Sequence, residues 1–156
     1  MNQQLSGKKI LVLVANGVDE AAVSQTQREL LKTGAVIRTA GLAPGLVNSW
    51  NVSIWGLYFP VDQQVSQTLG SDFDALVVPS GSRGIEKLAA SPHTERILSS
   101  FIAARKPMVM IGDASTLFAK TGVAMGPSVW TGELAQLPEA LDHIAAEAHA
   151  PIKAAA

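Results

Sequence analysis

Three short apolar runs constrain the fold of this chain more than any other feature of its sequence. They are KILVLV at residues 9–14, ALVV at residues 75–78 and MVMI at residues 108–111. Polar and apolar residues do not alternate within these runs, so each run predicts a strand that is buried on both faces. Such strands are typical of parallel sheets that are covered by helices on both sides.

Helical patterns separate the predicted strands. Residues 18–33 have a helical composition, Gly34 supplies a C-cap, and residues 35–40 (AVIRTA) predict a further strand. Another helix begins with Ser91 as its N-cap and Pro92 in its first turn. Its apolar stripe consists of Ile97, Leu98, Phe101 and Ile102, and a terminal amphipathic helix carries Leu137, Leu141, Ile144 and Ala148.

The alternation of strands and helices predicts an α/β fold. We expect a flavodoxin-like, doubly wound, mostly parallel sheet with helices on both faces, which makes a three-layer sandwich. Residues 41–60 interrupt the alternation with Pro44 and Gly45, and predict a loop with a small hairpin at one edge of the sheet. The chain is thus expected to form one domain over residues 1–150, followed by a disordered tail at residues 151–156.

Composition and charge exclude several classes of function. Of the 156 residues, 47% are hydrophobic and 16% charged, and the formal net charge is −1. The basic residues are scattered, so we expect no nucleic acid and no membrane among the partners. The start of the chain lacks the apolar segment of a secretion signal, which predicts a cytoplasmic location. Cysteine is absent, which excludes disulfides, thiolate metal sites and a cysteine nucleophile.

Three segments together resemble the ThiJ/PfpI superfamily, whose fold is like that of class I glutamine amidotransferases. They read KILVLVANGVDE, FDALVVPSGSRG and PMVMIGDAS, in that order along the chain. The resemblance implies a cysteine on a sharp strand-to-helix turn, a histidine after it, and a glutamate from the first helix near the thiol. Gly112, Asp113 and Ala22 stand at these positions here, so the site implied by the family lacks all three of its functional residues.

The pattern FDA-x-VVPSG followed by GDA, with the ending LPEALDHIAAEAH, most resembles the carboxyl-terminal domain of large-subunit catalases. That branch also lacks the nucleophile. The resemblance implies a role in assembly, in stabilisation or in chaperone-like binding. These 156 residues cannot supply the haem-binding barrel of such catalases, so a free-standing relative or an excised domain is expected, with no cofactor.

Asp113 and Ser115 follow the predicted strand at residues 108–111, where a helix amino terminus favours an acidic or polar side chain. Capping of that helix is the favoured interpretation of Asp113, and the alternative is an acid, base or nucleophile. Ser115 would need a neighbouring base in order to attack a substrate. The sequence contains His93, His143 and His149, which lie far from this turn.

A vestigial pocket is expected around the same turn. It would combine Gly112 and Ala114 with a second turn, where relatives supply oxyanion-binding backbone and where a basic side chain could attract a small anionic ligand. The residues of that second turn are Ser80, Gly81, Ser82 and Arg83. Glu20 could face the same crevice, although it also suits the first turn of its helix. No metal site is predicted.

Aromatic residues concentrate in the segment predicted as an edge loop, namely Trp50, Trp55, Tyr58 and Phe59. Aromatic clusters at edges mark protein interfaces, although such a loop can also fold back and bury them. The ThiJ/PfpI resemblance implies dimers and favours the interface.

We therefore predict a non-catalytic domain that forms a homo-oligomer, a dimer or larger. The alternative is a small-molecule hydrolase or lyase, amidase-like or glyoxalase-like, with Asp113 and Glu20 in place of the cysteine site.

Overall fold

A computed structural model describes residues 4–148 of the chain. Its centre is a six-stranded sheet in the order β5-β2-β1-β6-β7-β8, and every neighbouring pair of strands is parallel. The strands are β1 (Lys9–Leu13), β2 (Val36–Gly41), β5 (Gln63–Gln64), β6 (Ala75–Val78), β7 (Met108–Ile111) and β8 (Val129–Gly132). A separate antiparallel pair consists of β3 (Gly45–Asn51) and β4 (Ile54–Val61).

Five α-helices connect or follow the strands. They are α1 (Glu20–Lys32), α2 (Ser82–Ala89), α3 (Pro92–Ala103), α4 (Thr116–Thr121) and α5 (Leu137–Ala148). Single 3-10 turns cover Val65–Gln67, Gly70–Asp72, Gly112–Ser115 and Leu134–Gln136. Within residues 4–148, none of the helices has both the length and the apolar character that crossing a bilayer requires.

Two hydrophobic cores lie on opposite faces of the sheet. Alternate residues of β1 belong to different cores: Leu11 packs with side chains of α2, α3 and α4, whereas Val12 packs with side chains of α1 and α5. Both residues are fully buried, as are all four residues of β6 and of β7. The predicted three-layer α/β sandwich is therefore confirmed, because unbroken apolar strands have a helical layer to contact on each face.

The caps predicted from sequence explain where two of the helices begin and end. Ser91 accepts a hydrogen bond from the backbone amide of His93 at the start of α3, with Pro92 as the first helical residue. Gly34 follows the end of α1 with a φ of 82°, the left-handed conformation that glycine adopts without strain.

The segment at residues 41–60 contains the predicted hairpin, which is longer than expected. Its strands β3 and β4 have seven and eight residues, so strand and not loop makes up most of the segment. The short strands β5 and β8 and the helix α2 add to the elements expected from sequence, whereas α4 follows the Gly112 turn, where a helix was expected. The predicted single domain over residues 1–150 stays a prediction, and the predicted tail at residues 151–156 lies outside the described residues.

Candidate functional site

The connections after β1, β6 and β7 meet at the carboxyl edge of the sheet. Strand order reverses at β1, which pairs with β2 on one side and with β6 on the other. In open α/β sheets, the crevice outside such a switch point is where ligands bind. Every predicted pocket residue therefore belongs to one edge of the fold.

Gly112 forms the sharp turn that follows β7. Its φ is 57°, and a Cβ atom built on it would lie 3.0 Å from the Cβ of Ser80 and 4.0 Å from a carboxylate oxygen of Glu133. A side chain at this position would thus enter the space beside Ser80. The backbone keeps the sharp turn that the family resemblance implies, but glycine supplies no reactive atom there.

Asp113 does not cap its own helix, so the favoured interpretation of this residue is wrong. Its carboxylate accepts a hydrogen bond of 2.8 Å from the backbone amide of Gly81, which is the N-cap of α2. A carboxylate is favourable there because the free amides at a helix start carry partial positive charge. Asp113 therefore links the turn after β7 to the turn after β6, and it engages the amide that was predicted to bind an oxyanion.

Ser80 and Asp19 form a second link across the same edge. The hydroxyl of Ser80 donates to the Asp19 carboxylate at 2.9 Å, and the backbone amide of Asp19 donates to the carbonyl of Ser80 at 2.9 Å. Gly81, which follows, has a φ of 135°, and a Cβ there would lie 2.5 Å from the amide nitrogen of Asp19. The two turns are in such close contact that only glycine fits at position 81.

Glu20 binds the hairpin. Its carboxylate accepts a hydrogen bond of 2.7 Å from the amide of Leu57, and Ser49 contributes a longer one of 3.4 Å from its hydroxyl. The register of β3 against β4 shifts at this point, so Glu20 satisfies an amide that the irregular ladder leaves free. Glu20 and Asp113 are thus bonded to different elements, and their use as an acid–base pair stays a prediction.

Ser115 and Ala114 complete the turn. The hydroxyl of Ser115 makes a long hydrogen bond of 3.4 Å to the carbonyl of Gly112, and Ala114 is fully buried. The histidines that the structure describes lie elsewhere: His93 is in the first turn of α3, and a ring nitrogen of His143 lies 2.8 Å from the carbonyl of Ser128. His149 lies outside the described residues. The hydroxyl of Ser115 thus has its partner within its own turn, and its use as a nucleophile stays a prediction.

Arg83 borders a cavity of about 470 Å³, which is also lined by Ser82. The guanidinium of Arg83 lies 3.9 Å from the centre of the Trp50 ring, so the cation stacks on an aromatic face. Asp19 and Glu86 line the same cavity and give it acidic groups as well. The small anionic ligand stays a prediction, and we find no group of three metal-binding side chains in residues 4–148.

The predicted interface residues differ in exposure: Trp55 and Tyr58 are exposed, whereas Phe59 packs against the core. Trp50 and Trp55 meet edge to face at a centroid distance of 5.2 Å, and Lys87 lies 5.6 Å from the Trp55 ring. Phe59 is partly buried against the core. The outward residues, here named the hairpin surface, are Leu46, Val52, Ile54, Trp55, Leu57 and Tyr58, each between 49% and 91% exposed.

The hairpin segment itself carries no charged residue, although Arg83 and Lys87 of α2 lie against the rings of Trp50 and Trp55. Residues 39–61 include no aspartate, glutamate, lysine or arginine, and they contain both strands of the hairpin. Large exposed apolar side chains elsewhere in residues 4–148 are scattered, for example Leu31 on α1 and Leu69 before β6. Six of the eleven large hydrophobic residues that are exposed in residues 4–148 therefore lie on the hairpin, and a concentration of this kind on a folded domain marks an interaction site.

Sequence reasoning overlooked two features of the site. From the sequence alone, Asp19 only suits the positive first turn of α1, whereas in the structure its carboxylate also holds Ser80 across 61 positions of sequence. The bond from Gly81 to Asp113 joins residues 32 positions apart. Local sequence does not indicate either hydrogen bond. A short acidic side chain suits both the cap of its own helix and a bond to a neighbouring turn at the sheet edge.

Comparison with known proteins places the chain among relatives of this fold. The sequence is 32% identical to Catalase HPII of Pseudomonas putida over 112 residues, which are 72% of this chain but only 15% of that protein. Drosophila melanogaster DJ-1beta superposes with a TM-score of 0.75 at 22% identity, covering 90% of this chain and 89% of the other. Oxidized DJ-1 of Toxoplasma gondii superposes with a TM-score of 0.74 at 16% identity, covering 91% and 94%.

The profile of one family extends over nearly the whole described structure. It matches residues 8–145, from the start of β1 into the last helix. That span contains both turns at the sheet edge and the complete hairpin. The chain therefore belongs to the DJ-1/PfpI family.

Proposed function

We propose that this chain is a non-catalytic DJ-1/PfpI domain whose role is assembly, and that it pairs with a second copy of itself through the hairpin surface. The hairpin surface carries the proposal. It concentrates exposed aromatic and aliphatic side chains on a stretch, residues 39–61, that has no charged residue. Interface cores have this composition, since they are depleted of charge and enriched in aromatic residues.

A second copy is the occupant that this surface suits best. In a twofold dimer the same patch of each subunit faces the other, so a surface must be complementary to itself. A charged patch placed against itself would meet like charges, whereas an uncharged apolar patch meets none. A charged partner would instead lose the hydration of its ions and find no opposite charge within residues 39–61. The neighbouring cations, Arg83 and Lys87, already lie against the rings of Trp50 and Trp55.

The turn at Gly112 supports the non-catalytic part of the proposal. Gly112 offers no nucleophile, and Ala22 offers no carboxylate from α1. The polar groups nearby are engaged within the chain, since Asp113 accepts from Gly81 and Ser80 donates to Asp19. A substrate oxyanion or a small anionic ligand would have to displace the Asp113 carboxylate from the Gly81 amide.

The alternative, a hydrolase or lyase, requires Asp113 and Glu20 to exchange protons with one substrate. Each carboxylate already accepts a backbone amide, from Gly81 and from Leu57 respectively. These bonds tie the two carboxylates to separate elements, the start of α2 and the hairpin. We therefore favour assembly.

The test is a charge placed on the hairpin surface. Leu57→Lys introduces an ammonium group on β4, and we expect the dimer dissociation constant, measured by analytical ultracentrifugation, to rise at least about tenfold, which corresponds to about 1.4 kcal/mol. Leu31→Lys is the matched control, because Leu31 is 66% exposed and Leu57 is 62% exposed. The control should leave the dissociation constant unchanged.

Three outcomes would overturn the proposal. The unaltered chain could sediment as a single copy at every concentration, Leu57→Lys could associate as strongly as the unaltered chain, or Leu31→Lys could dissociate the dimer equally. Circular dichroism of both variants checks that the fold is retained, so that loss of association is not loss of structure.

A further inference from the structure

The tip of the hairpin breaks a rule of turn chemistry. Asn51 pairs with Ile54, so Val52 and Ser53 form a two-residue loop between β3 and β4. Such loops require positive φ at their first position, which is usually filled by glycine, asparagine or aspartate. Val52 occupies that position with a φ of 58°. For a β-branched residue this conformation is an outlier, because the branched side chain crowds its own backbone.

Packing within residues 4–148 does not account for the valine. Its side chain is 91% exposed, the largest exposed fraction among the large hydrophobic residues of the described chain. An ordinary turn residue would relieve the backbone and would remove apolar surface from water at the same time. A local rule that is broken without an internal gain indicates a functional position.

The surrounding contacts hold the strained turn in place. The indole nitrogen of Trp50 donates to the carbonyl of Val52 at 3.0 Å, and the amide of Ser53 donates to the carbonyl of Asn51 at 2.6 Å. Trp50 is itself fixed by the stacked guanidinium of Arg83. Strained residues persist only where their surroundings determine the conformation, and here the surroundings present Val52 to the outside.

We infer that Val52 is an anchor of self-association: its side chain projects from the hairpin tip and inserts into the apolar hairpin surface of a second copy. This inference rests on the proposed function and assigns the contact to one residue. A few buried anchors carry most of the free energy of a typical interface. A rigid, pre-shaped apolar anchor also loses little side-chain entropy when it binds.

Val52→Asn separates the anchor role from a structural role, because the two predict effects of opposite sign. Asparagine fits the left-handed conformation and should relieve the turn. It is polar, however, and should weaken an apolar contact. We expect the dimer dissociation constant to rise at least about tenfold. In a Leu57→Lys background, at a concentration where that chain sediments as a single copy, the urea midpoint should be unchanged or higher.

Arg105→Asn is the matched control. Arg105 is the other non-glycine residue with positive φ in the described chain, at 56°, and it lies between α3 and β7. The control relieves a similar backbone conformation far along the sequence from the hairpin. It should leave the dissociation constant unchanged.

The outcomes distinguish this inference from the proposed function. If the unaltered chain dimerises, Leu57→Lys dissociates it and Val52→Asn does not, the anchor role is wrong and the proposed function stands. If Val52→Asn lowers the urea midpoint in the Leu57→Lys background, the valine is structural and the inference is overturned. An unaltered chain that remains a single copy overturns both.

Discussion

The turns at the carboxyl edge of the sheet differ from the hairpin beside them in whether their side chains have partners within the chain. At the turns, the polar groups have partners within the chain: Asp113 holds the Gly81 amide, and Ser80 and Asp19 hold each other. At the hairpin, large apolar side chains face outward, and Val52 is held in a conformation that valine disfavours. The polar groups of the turns are thus bonded within the chain, whereas the apolar side chains of the hairpin remain exposed to water.

This difference is the basis of the proposed role in assembly. A catalytic site needs groups that are available to a substrate, and bonds within the chain occupy those at the Gly112 turn. An interface needs surface that gains from leaving water, and the hairpin surface offers it. The three predictions that follow test this contrast, from the largest expected effect to the smallest.

Gly81→Ala should be the most damaging substitution. Its Cβ would lie 2.5 Å from the amide nitrogen of Asp19 and 2.8 Å from the Cα of Val18, both of which are backbone atoms. We expect a loss of about 4 kcal/mol in the free energy of unfolding, measured with urea. Gly122→Ala is the control, because Gly122 has a φ of 77° with nothing within 4 Å, and it should cost only about 1 kcal/mol. Equal losses of stability for Gly81→Ala and Gly122→Ala would mean that the turn after β6 is not in close contact with the turn after β1.

Asp113→Ala should have an intermediate effect. It leaves the buried Gly81 amide without its acceptor, which costs about 2 kcal/mol in the free energy of unfolding. Asp113→Asn keeps an acceptor oxygen and should cost less. Asp142→Ala, on the exposed side of α5, should change stability by less than about 0.5 kcal/mol. A loss for Asp142→Ala as large as that for Asp113→Ala would contradict an internal role for the Asp113 carboxylate.

Arg83→Ala should have the smallest effect. It removes the guanidinium that stacks on Trp50, and a stack of this kind at an exposed site contributes about 0.5–1 kcal/mol. The loss should appear in the urea midpoint of the Leu57→Lys chain and as a change in tryptophan emission. Arg28→Ala, another exposed arginine, should change neither. If both variants keep the emission of the parent chain, Arg83 does not fix the hairpin.

The sequence predicted the centre of the fold because that part depends on local composition. The strands β6 and β7 begin and end where their apolar runs do, and Ser91 and Pro92 begin α3 as expected. Burial on both faces requires an unbroken apolar run, so these strands can be predicted without knowing which strands they pair with.

The edges of the fold were harder to predict for the same reason. The strand β8 reads VWTG and is only partly buried, and β5 has two residues, so neither has a strong apolar run. The hairpin was expected to be small and to lie within a loop, because proline and glycine introduce the segment. Its strands are stabilised by pairing and by the distant Glu20 carboxylate, which local sequence does not indicate.

The candidate site shows most clearly what local sequence does not predict, namely the partner of a polar side chain. Asp113 was expected to cap its own helix, and its carboxylate instead reaches the start of another. Both choices satisfy the same preference of a carboxylate for free amides at a helix start. Sequence could identify the chemistry of that contact, but the partner depends on two turns meeting at the sheet edge.

The uncharged stretch also matters before the chain has folded. Hairpins form in microseconds from residues close in sequence, whereas the parallel sheet must bring together strands that are far apart. During that interval residues 39–61 present β-prone, uncharged segments with no charge to repel another copy. Arg38 and Asp62 bound the stretch on either side and are the nearest charges that oppose premature association. The composition that suits the hairpin surface to pairing thus also makes the order of folding events important to the chain.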